Sequence, residues 1–262
     1  MKQLSVIHRL RGSILLYVLW MLVIISLLAF QLSSVSRALL INQVSETNLI
    51  KKNLQLYSAT QFAKFKILSN DWKNLKFDLK INNQAIFIEI FNESGFFSLY
   101  NLSNQSLKNI LNSINIEQSV VEKINFSDEG SARFNDFYEL TQYEGINEET
   151  LYELIPFVSI YHEEAINPAL APAEVLMRIS GVDQYRVNKL MESNDEPEKD
   201  QLRREIVEIL KSHNTEVSEN SSEYYRVHIS FGTELYRIFL KYNRRNKDFL
   251  VVNTLSPLSP QI

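Results

Sequence analysis

The chain has no cysteine among its 262 residues. That excludes a disulfide framework and a thiolate metal site. Glycine is scarce, with 6 in the chain, which argues against Gly-rich phosphate loops. No serine–histidine–acid arrangement or pair of carboxylates stands out, so no catalytic site and no enzyme activity are expected. The four histidines, His8, His162, His213 and His228, are scattered. His162 adjoins Glu163 and Glu164, a thin cluster that fits a solvated acidic loop better than a metal site. A net positive charge is also lacking. The formal net charge is -4, and the body is more acidic still once Lys2, Arg9 and Arg11 are set aside. Such a body has no electrostatic reason to bind nucleic acid. Arg244-Arg245-Asn246-Lys247 is a small basic patch that reads as a solvated turn. What remains is 45% hydrophobic and 22% charged, enough for one or two domains with a core.

What is present begins with one long apolar run. From Gly12 to Ser36 there is no charged residue. As a helix this stretch reaches ~37 Å, more than the ~30 Å of a bilayer's hydrocarbon core. Three cations precede it and Arg37 follows, so residues 1–11 are expected in the cytoplasm and the bulk outside. Three arrangements compete. A secretory signal peptide has a shorter apolar region. A plain signal anchor fits the membrane features best when they are taken alone. The third is a class III leader, a short basic segment ending in Gly12 that a prepilin peptidase removes. That motif needs support from the rest of the chain.

Support starts directly downstream. No proline or glycine occurs from Val35 to Ile67, and Leu39, Leu40, Val44, Leu49, Ile50, Leu54, Tyr57, Phe62, Phe65 and Ile67 recur at roughly helical spacing. The membrane helix is therefore expected to run on as an amphipathic one. Alternation then predicts strands over 75–81 and 86–91, joined at Asn82-Asn83, and a third over 96–99. Helices are expected over 106–114, 117–124, 136–143, 147–155, 172–179, 182–191 and 199–210, with good N-terminal signals at Asn147 and Ala171-Pro172-Ala173-Glu174. Ser218 through Ser222 is a polar linker. Strands return over 224–231, 235–242 and 249–252. Helical material is thus set inside a sheet that the first strands begin and the last complete. Two units, Tyr143-Glu144-Gly145-Ile146-Asn147 and Ile179-Ser180-Gly181-Val182-Asp183, look like helix-hairpin-helix turns. Asn147 and Asp183 stand where a DNA-binding hairpin has its second glycine, and Asp183 would repel phosphate. Packing is the expected role.

Three segments carry a family resemblance. Asn92-Glu93-Ser94-Gly95-Phe96-Phe97-Ser98-Leu99 resembles the D-E-S-G-K-I-N-L-N turn and strand of minor pseudopilin K of bacterial type II secretion systems. Here Asn92 replaces the acid, Ser98 the first asparagine and Tyr100 the second. Glu139-Leu140 to Gly145-Ile146, followed by Leu154-Ile155-Pro156-Phe157-Val158-Ser159-Ile160, is similar to the family's E-L-x-x-x-x-G-hydrophobic unit. Ile166-Asn167-Pro168-Ala169-Leu170-Ala171-Pro172-Ala173-Glu174-Val175-Leu176 resembles its V-N-x-N-T-A-P-x-E-V-L segment, with Ala169 for the second asparagine. The motif residues are Asn92, Glu93, Ser94, Gly95, Asn167, Ala171, Pro172, Glu174 and Leu176.

The resemblance implies an α+β, pilin-like fold: a long N-terminal transmembrane and amphipathic helix plus an antiparallel sheet, with an inserted all-α helix-hairpin-helix-like domain. Its expected parts are a cleaved leader (1–12), a membrane helix (13–36), the pilin-like helix and first strands (37–104), a helical insertion (105–215) and the final strands (216–262). It further implies cleavage after Gly12 and methylation of the new amine of Ser13. The protein would sit in the inner membrane with its body in the periplasm, at the tip of a pseudopilus that exports folded proteins. Expected partners are minor pseudopilins I and J, the major pseudopilin below and the prepilin peptidase, with no nucleic acid. No cofactor is expected; some family members bind calcium, but no spaced loop here matches a calcium motif. Major pilins carry glutamate as the fifth mature residue, where this chain has Tyr17; a tip subunit has no amine ahead of it to neutralise. Two other readings share the leader or the anchor: a minor pilin of a type IV or competence pilus, and a bitopic anchor whose helical part binds a partner or DNA.

Overall fold

The computed structural model of the chain describes residues 3–69, 75–81, 84–100, 109–112, 134–179, 181–193, 195–212 and 215–257. Two compact units divide it, Met1–Tyr57 and Ser58–Ile262. The first is a single helix, the greater part of α1 (Gln3–Ser69, 67 residues). At ~1.5 Å per residue α1 is about 100 Å long. It is the one described helix long and apolar enough to cross a membrane, with mean hydropathy 2.2 in its most apolar stretch. Every residue from Tyr17 to Arg37 is exposed. So are Leu39, Leu40, Ile41, Val44, Leu49, Ile50, Leu54 and Tyr57, which lie beyond the first charge after the apolar run.

The second unit is α+β. Its sheet has the order β1-β2-β5-β6-β7 and is antiparallel throughout. The strands are β1 (Leu75–Ile81), β2 (Gln84–Asn92), β5 (Tyr224–Phe231), β6 (Glu234–Asn243) and β7 (Asp248–Leu255). Alternation of aromatic and β-branched residues with polar ones suits the pleat. Ile86, Ile88, Ile90, Tyr225, Val227, Ile229, Ile238 and Leu240 are buried, as are Ala59, Ala63 and Ile67 on the last turns of α1. The small alanines let the helix approach closely. Phe62 meets Phe77 edge-on at 5.3 Å, and Lys64 Nζ donates to the Phe249 carbonyl at 2.8 Å.

The opposite sheet face carries Phe91, Arg226 and Phe239 in register. It is covered by the chain between β2 and β5, whose core includes Phe96, Leu140, Leu151, Leu154, Val175, Leu176, Ile206 and Leu210. This stretch holds β3 (Phe97–Ser98), a 3-10 helix (Phe137–Gln142), α2 (Glu148–Leu154), β4 (Val158–Ser159), α3 (Ala173–Leu176), α4 (Gln184–Glu192) and α5 (Glu196–Ser212). The strand expected over 96–99 shrinks to two residues. It leaves the main sheet and pairs in parallel with β4, because Phe96 turns inward and Gly95 docks elsewhere. The helix expected over 136–143 is a 3-10 helix and that over 172–179 shortens to α3. The helix expected over 106–114 is described only at 109–112. The turn Asn82-Asn83 and the helix expected over 117–124 lie outside the described residues.

Candidate functional site

The two helix-hairpin-helix-like units share one construction. Gly145 and Gly181 have φ of 97° and 85°, the left-handed region that glycine enters without penalty. A buried apolar residue follows, Ile146 or Val182. Next comes an N-cap: Asn147 Oδ1 accepts from Thr150 N at 2.8 Å, and Asp183 Oδ1 accepts from Arg186 N at 2.7 Å. Asp183 also pairs with the Arg186 guanidinium. Both side chains are therefore committed to starting α2 and α4.

The densest polar site lies where β2 leaves the sheet. Asn92 caps the following 3-10 turn (Glu93–Gly95), accepting from Ser94 N at 3.1 Å and Ser94 Oγ at 2.7 Å. The same oxygen accepts from Ser222 N at 3.0 Å, and Asn92 Nδ2 donates to Ser222 O at 2.9 Å. The polar linker is thus held down at one end. Asn167 holds it again: its Nδ2 donates to Asn220 O at 3.0 Å, and its backbone N donates to Ser94 O at 2.6 Å. Ser218 N reaches Ile166 O at 2.9 Å beside a parallel bridge between Ile166 and Val217.

Gly95 sits between these strands of contact. A Cβ there would lie 2.2 Å from the Leu170 carbonyl oxygen and 2.9 Å from Ala171 Cα. Its φ is not positive, so the requirement is room alone. Pro172 caps α3 with its carbonyl, which accepts from Val175 N and Leu176 N at 3.1 Å. Leu176 is buried and Glu174 is exposed in the first turn.

Beneath the turn is a buried ion pair. Glu93 and Arg226 both have fully buried side chains. Arg226 Nε donates to Glu93 Oε1 at 2.7 Å and Nη2 to Oε2 at 3.1 Å, a bidentate fork. Nη2 also donates to Val158 O at 2.8 Å, and Nη1 donates to Ile155 O. The guanidinium lies 3.8 Å from the Phe96 ring centroid and 5.1 Å from that of Phe239. All three of its nitrogens are engaged. Ser98 Oγ extends the joint by donating to His162 O at 2.6 Å.

The three segments singled out in the sequence meet here: Asn92 through Ser98, Ile155 through Val158, and Asn167 through Ala171. Sequence reasoning missed Arg226, the residue they share. Gly12, Ser13 and Tyr17 belong to the other unit; all three are helical and Tyr17 is 74% exposed. Among the described residues no three His, Asp or Glu side chains converge to hold a metal. Glu164 instead accepts from Ser218 Oγ at 3.0 Å. The fold and site define an α+β chain with a long N-terminal helix and a polar joint that fastens a helical segment to the sheet. No protein-family model and no curated protein matches the chain.

Two histidines border the joint. Among the described residues neither ring nitrogen of His162 has a hydrogen-bond partner. Burial lowers its pKa from the ordinary 6.5, outweighing the pull of the Glu93 carboxylate and of the Phe96, Glu164 and Glu93 carbonyls. Burial holds His228 well below 6.5, helped by Arg226, Arg237 and Lys76; Glu89 is 4.0 Å away. The unfolded chain takes up these protons near pH 6.5 and the folded chain only below it. Their contribution to stability is therefore complete above about pH 6.5 and is lost as pH falls, at no more than ~1.4 kcal/mol per pH unit for each histidine. The melting temperature is expected to fall between pH 7.5 and 5.5, and His228→Gln to flatten that slope. A wild-type slope that H228Q leaves unchanged would contradict this.

Proposed function

We propose that this chain is a minor pseudopilin at the tip of a type II secretion pseudopilus. In this reading it has a pilin-like fold whose sheet is interrupted by an inserted helical domain. A prepilin peptidase cuts after Gly12 and methylates Ser13, residues 13–36 span the bacterial inner membrane, and the body caps the fibre in the periplasm. Minor pseudopilins I and J flank it and the major pseudopilin follows below.

One observation supports this above the others. Eight apolar residues of α1 between Leu39 and Tyr57 (Leu39, Leu40, Ile41, Val44, Leu49, Ile50, Leu54 and Tyr57) lie past the membrane-length run and are exposed. A row of this kind is unfavourable in water, at about 1.5–3 kcal/mol for each large side chain left uncovered. Helices of neighbouring subunits, packed side by side in a fibre, would cover it. A plain signal anchor has no use for such a row. The convergence of the three resembling segments on one joint adds to this, since scattered chance matches have no reason to meet.

Tyr17 supplies the test. A glutamate there would enter the membrane with no amine ahead of it, at a cost of ~2.5–3.5 kcal/mol. Tyr17→Glu is expected to leave processing after Gly12 intact and to lower recovery of the tip complex on the order of 100-fold. Immunoblots of the processed chain and co-purification with the other minor pseudopilins read the two effects. Loss of processing, or normal recovery of the complex, would count against the proposal.

A further inference from the structure

Next to the Phe91–Arg226–Phe239 row on the same sheet face lies a second row. It runs Lys76, Glu89, His228, Arg237, Leu255 across five strands in register. The row has one acid, and that acid is occupied at its far end: Glu89 Oε1 lies 2.6 Å from Lys76 Nζ. Arg237 is half-buried, and its Nε is buried with no acceptor. Among the described residues no hydrogen bond or ion pair holds this guanidinium. Its neighbours do not supply one. The Tyr152 hydroxyl donates to Ser256 O at 2.9 Å and contacts the Tyr138 hydroxyl. Glu174, on α3, acts on Arg237 only across a distance. Burial and the Arg226 charge push the Arg237 pKa down to about 10.

A half-buried cation that no described acid pairs directly is a destabilising feature, and a carboxylate from outside the chain would relieve it. We propose that Arg237 is a docking point for a carboxylate on an acidic segment of a partner protein. The charge left without a direct pair is a single one, and a guanidinium fork matches one carboxylate in two hydrogen bonds. A phosphate dianion would call for several converging cations; of the others in the row, Lys76 is paired with Glu89 and burial keeps His228 neutral. The next register row supplies an apolar neighbour, Phe87, which is 37% exposed and shares its row with Ser230 and Leu235. The matching partner segment therefore places an apolar side chain beside its acid. This inference does not rest on the pseudopilin reading; any acidic protein segment of that chemistry satisfies it.

The test uses the full chain in detergent micelles. Arg237→Met keeps the side-chain length and removes the charge, so it is expected to raise the melting temperature by about 3 °C. N-acetylaspartate at 100 mM is expected to raise the wild-type melting temperature by about 2 °C over chloride of equal ionic strength, and to leave R237M unchanged. A lower melting temperature for R237M would make Arg237 a structural cation and overturn the proposal. So would a carboxylate shift of equal size in both proteins, or none in the wild type. A shift with inorganic phosphate but not with N-acetylaspartate would point to an anionic lipid headgroup and overturn it as well. The comparison of the two anions on the wild-type chain decides the matter even if R237M does not fold.

Discussion

Arg226→Met is expected to destabilise the second unit by about 3–5 kcal/mol, a fall in melting temperature on the order of 10 °C. The magnitude follows from what is left behind. Both carboxylate oxygens of Glu93 are held by Arg226, and the Glu93 side chain is fully buried. Removing the arginine strands a carboxylate in a medium that cannot solvate it, and also frees the carbonyls of Ile155 and Val158. The double variant Glu93→Met, Arg226→Met removes both charges and is expected to recover much of the loss, because replacing a buried pair whole is often near neutral. Thermal unfolding by near-UV circular dichroism measures all three. A deficit in R226M below about 1 kcal/mol would contradict this assignment of the joint.

Gly95→Ala is expected to cost a similar amount, for a purely steric reason. The added methyl would enter the space of the Leu170 carbonyl and Ala171 Cα. These are backbone atoms, so no rotamer change relieves the clash. The Asn167-to-Ala171 segment must move away, which gives up the Asn167 N–H to Ser94 bond of 2.6 Å. A loss of about 3 kcal/mol or more is the usual size for such overpacking with a broken buried bond. Gly232 is the control. It has φ of 63°, and a Cβ added there would meet nothing within 4 Å, so Gly232→Ala meets only conformational strain of about 1 kcal/mol. Equal melting temperatures for G95A and G232A would show that the close approach at Gly95 is not what secures the joint.

Much of this architecture is legible in the sequence. The long N-terminal helix, the five sheet strands and the cap at Asn147 follow from periodicity and local chemistry, which act over a few residues. The joint is legible only as motif. Nothing in Tyr224-Tyr225-Arg226-Val227-His228-Ile229-Ser230-Phe231 marks Arg226 as buried. Alternation puts it with Tyr224, His228 and Ser230, the set expected to face solvent. The sheet is covered on both faces around Arg226 instead, and its polar face there carries an ion pair whose partner lies 133 residues away in sequence. His162 misleads for the same reason: beside Glu163 and Glu164 it reads as part of a solvated loop, yet its side chain is buried next to Glu93. Long-range pairing sets both environments, and a local pattern carries no record of it.

The exposed row on α1 from Leu39 to Tyr57 has a different standing from the joint. The joint is complete within the chain, whereas the row is covered by other subunits only on the proposed reading. Its reading as a packing surface depends on how the N-terminus is processed. Mass spectrometry of the full chain purified from the membrane of a cell with an active prepilin peptidase measures that directly. The proposed function predicts one mature form that begins at Ser13 and carries one methyl group on its amine. A chain beginning at Met1, or one cut beyond the apolar run, would contradict it.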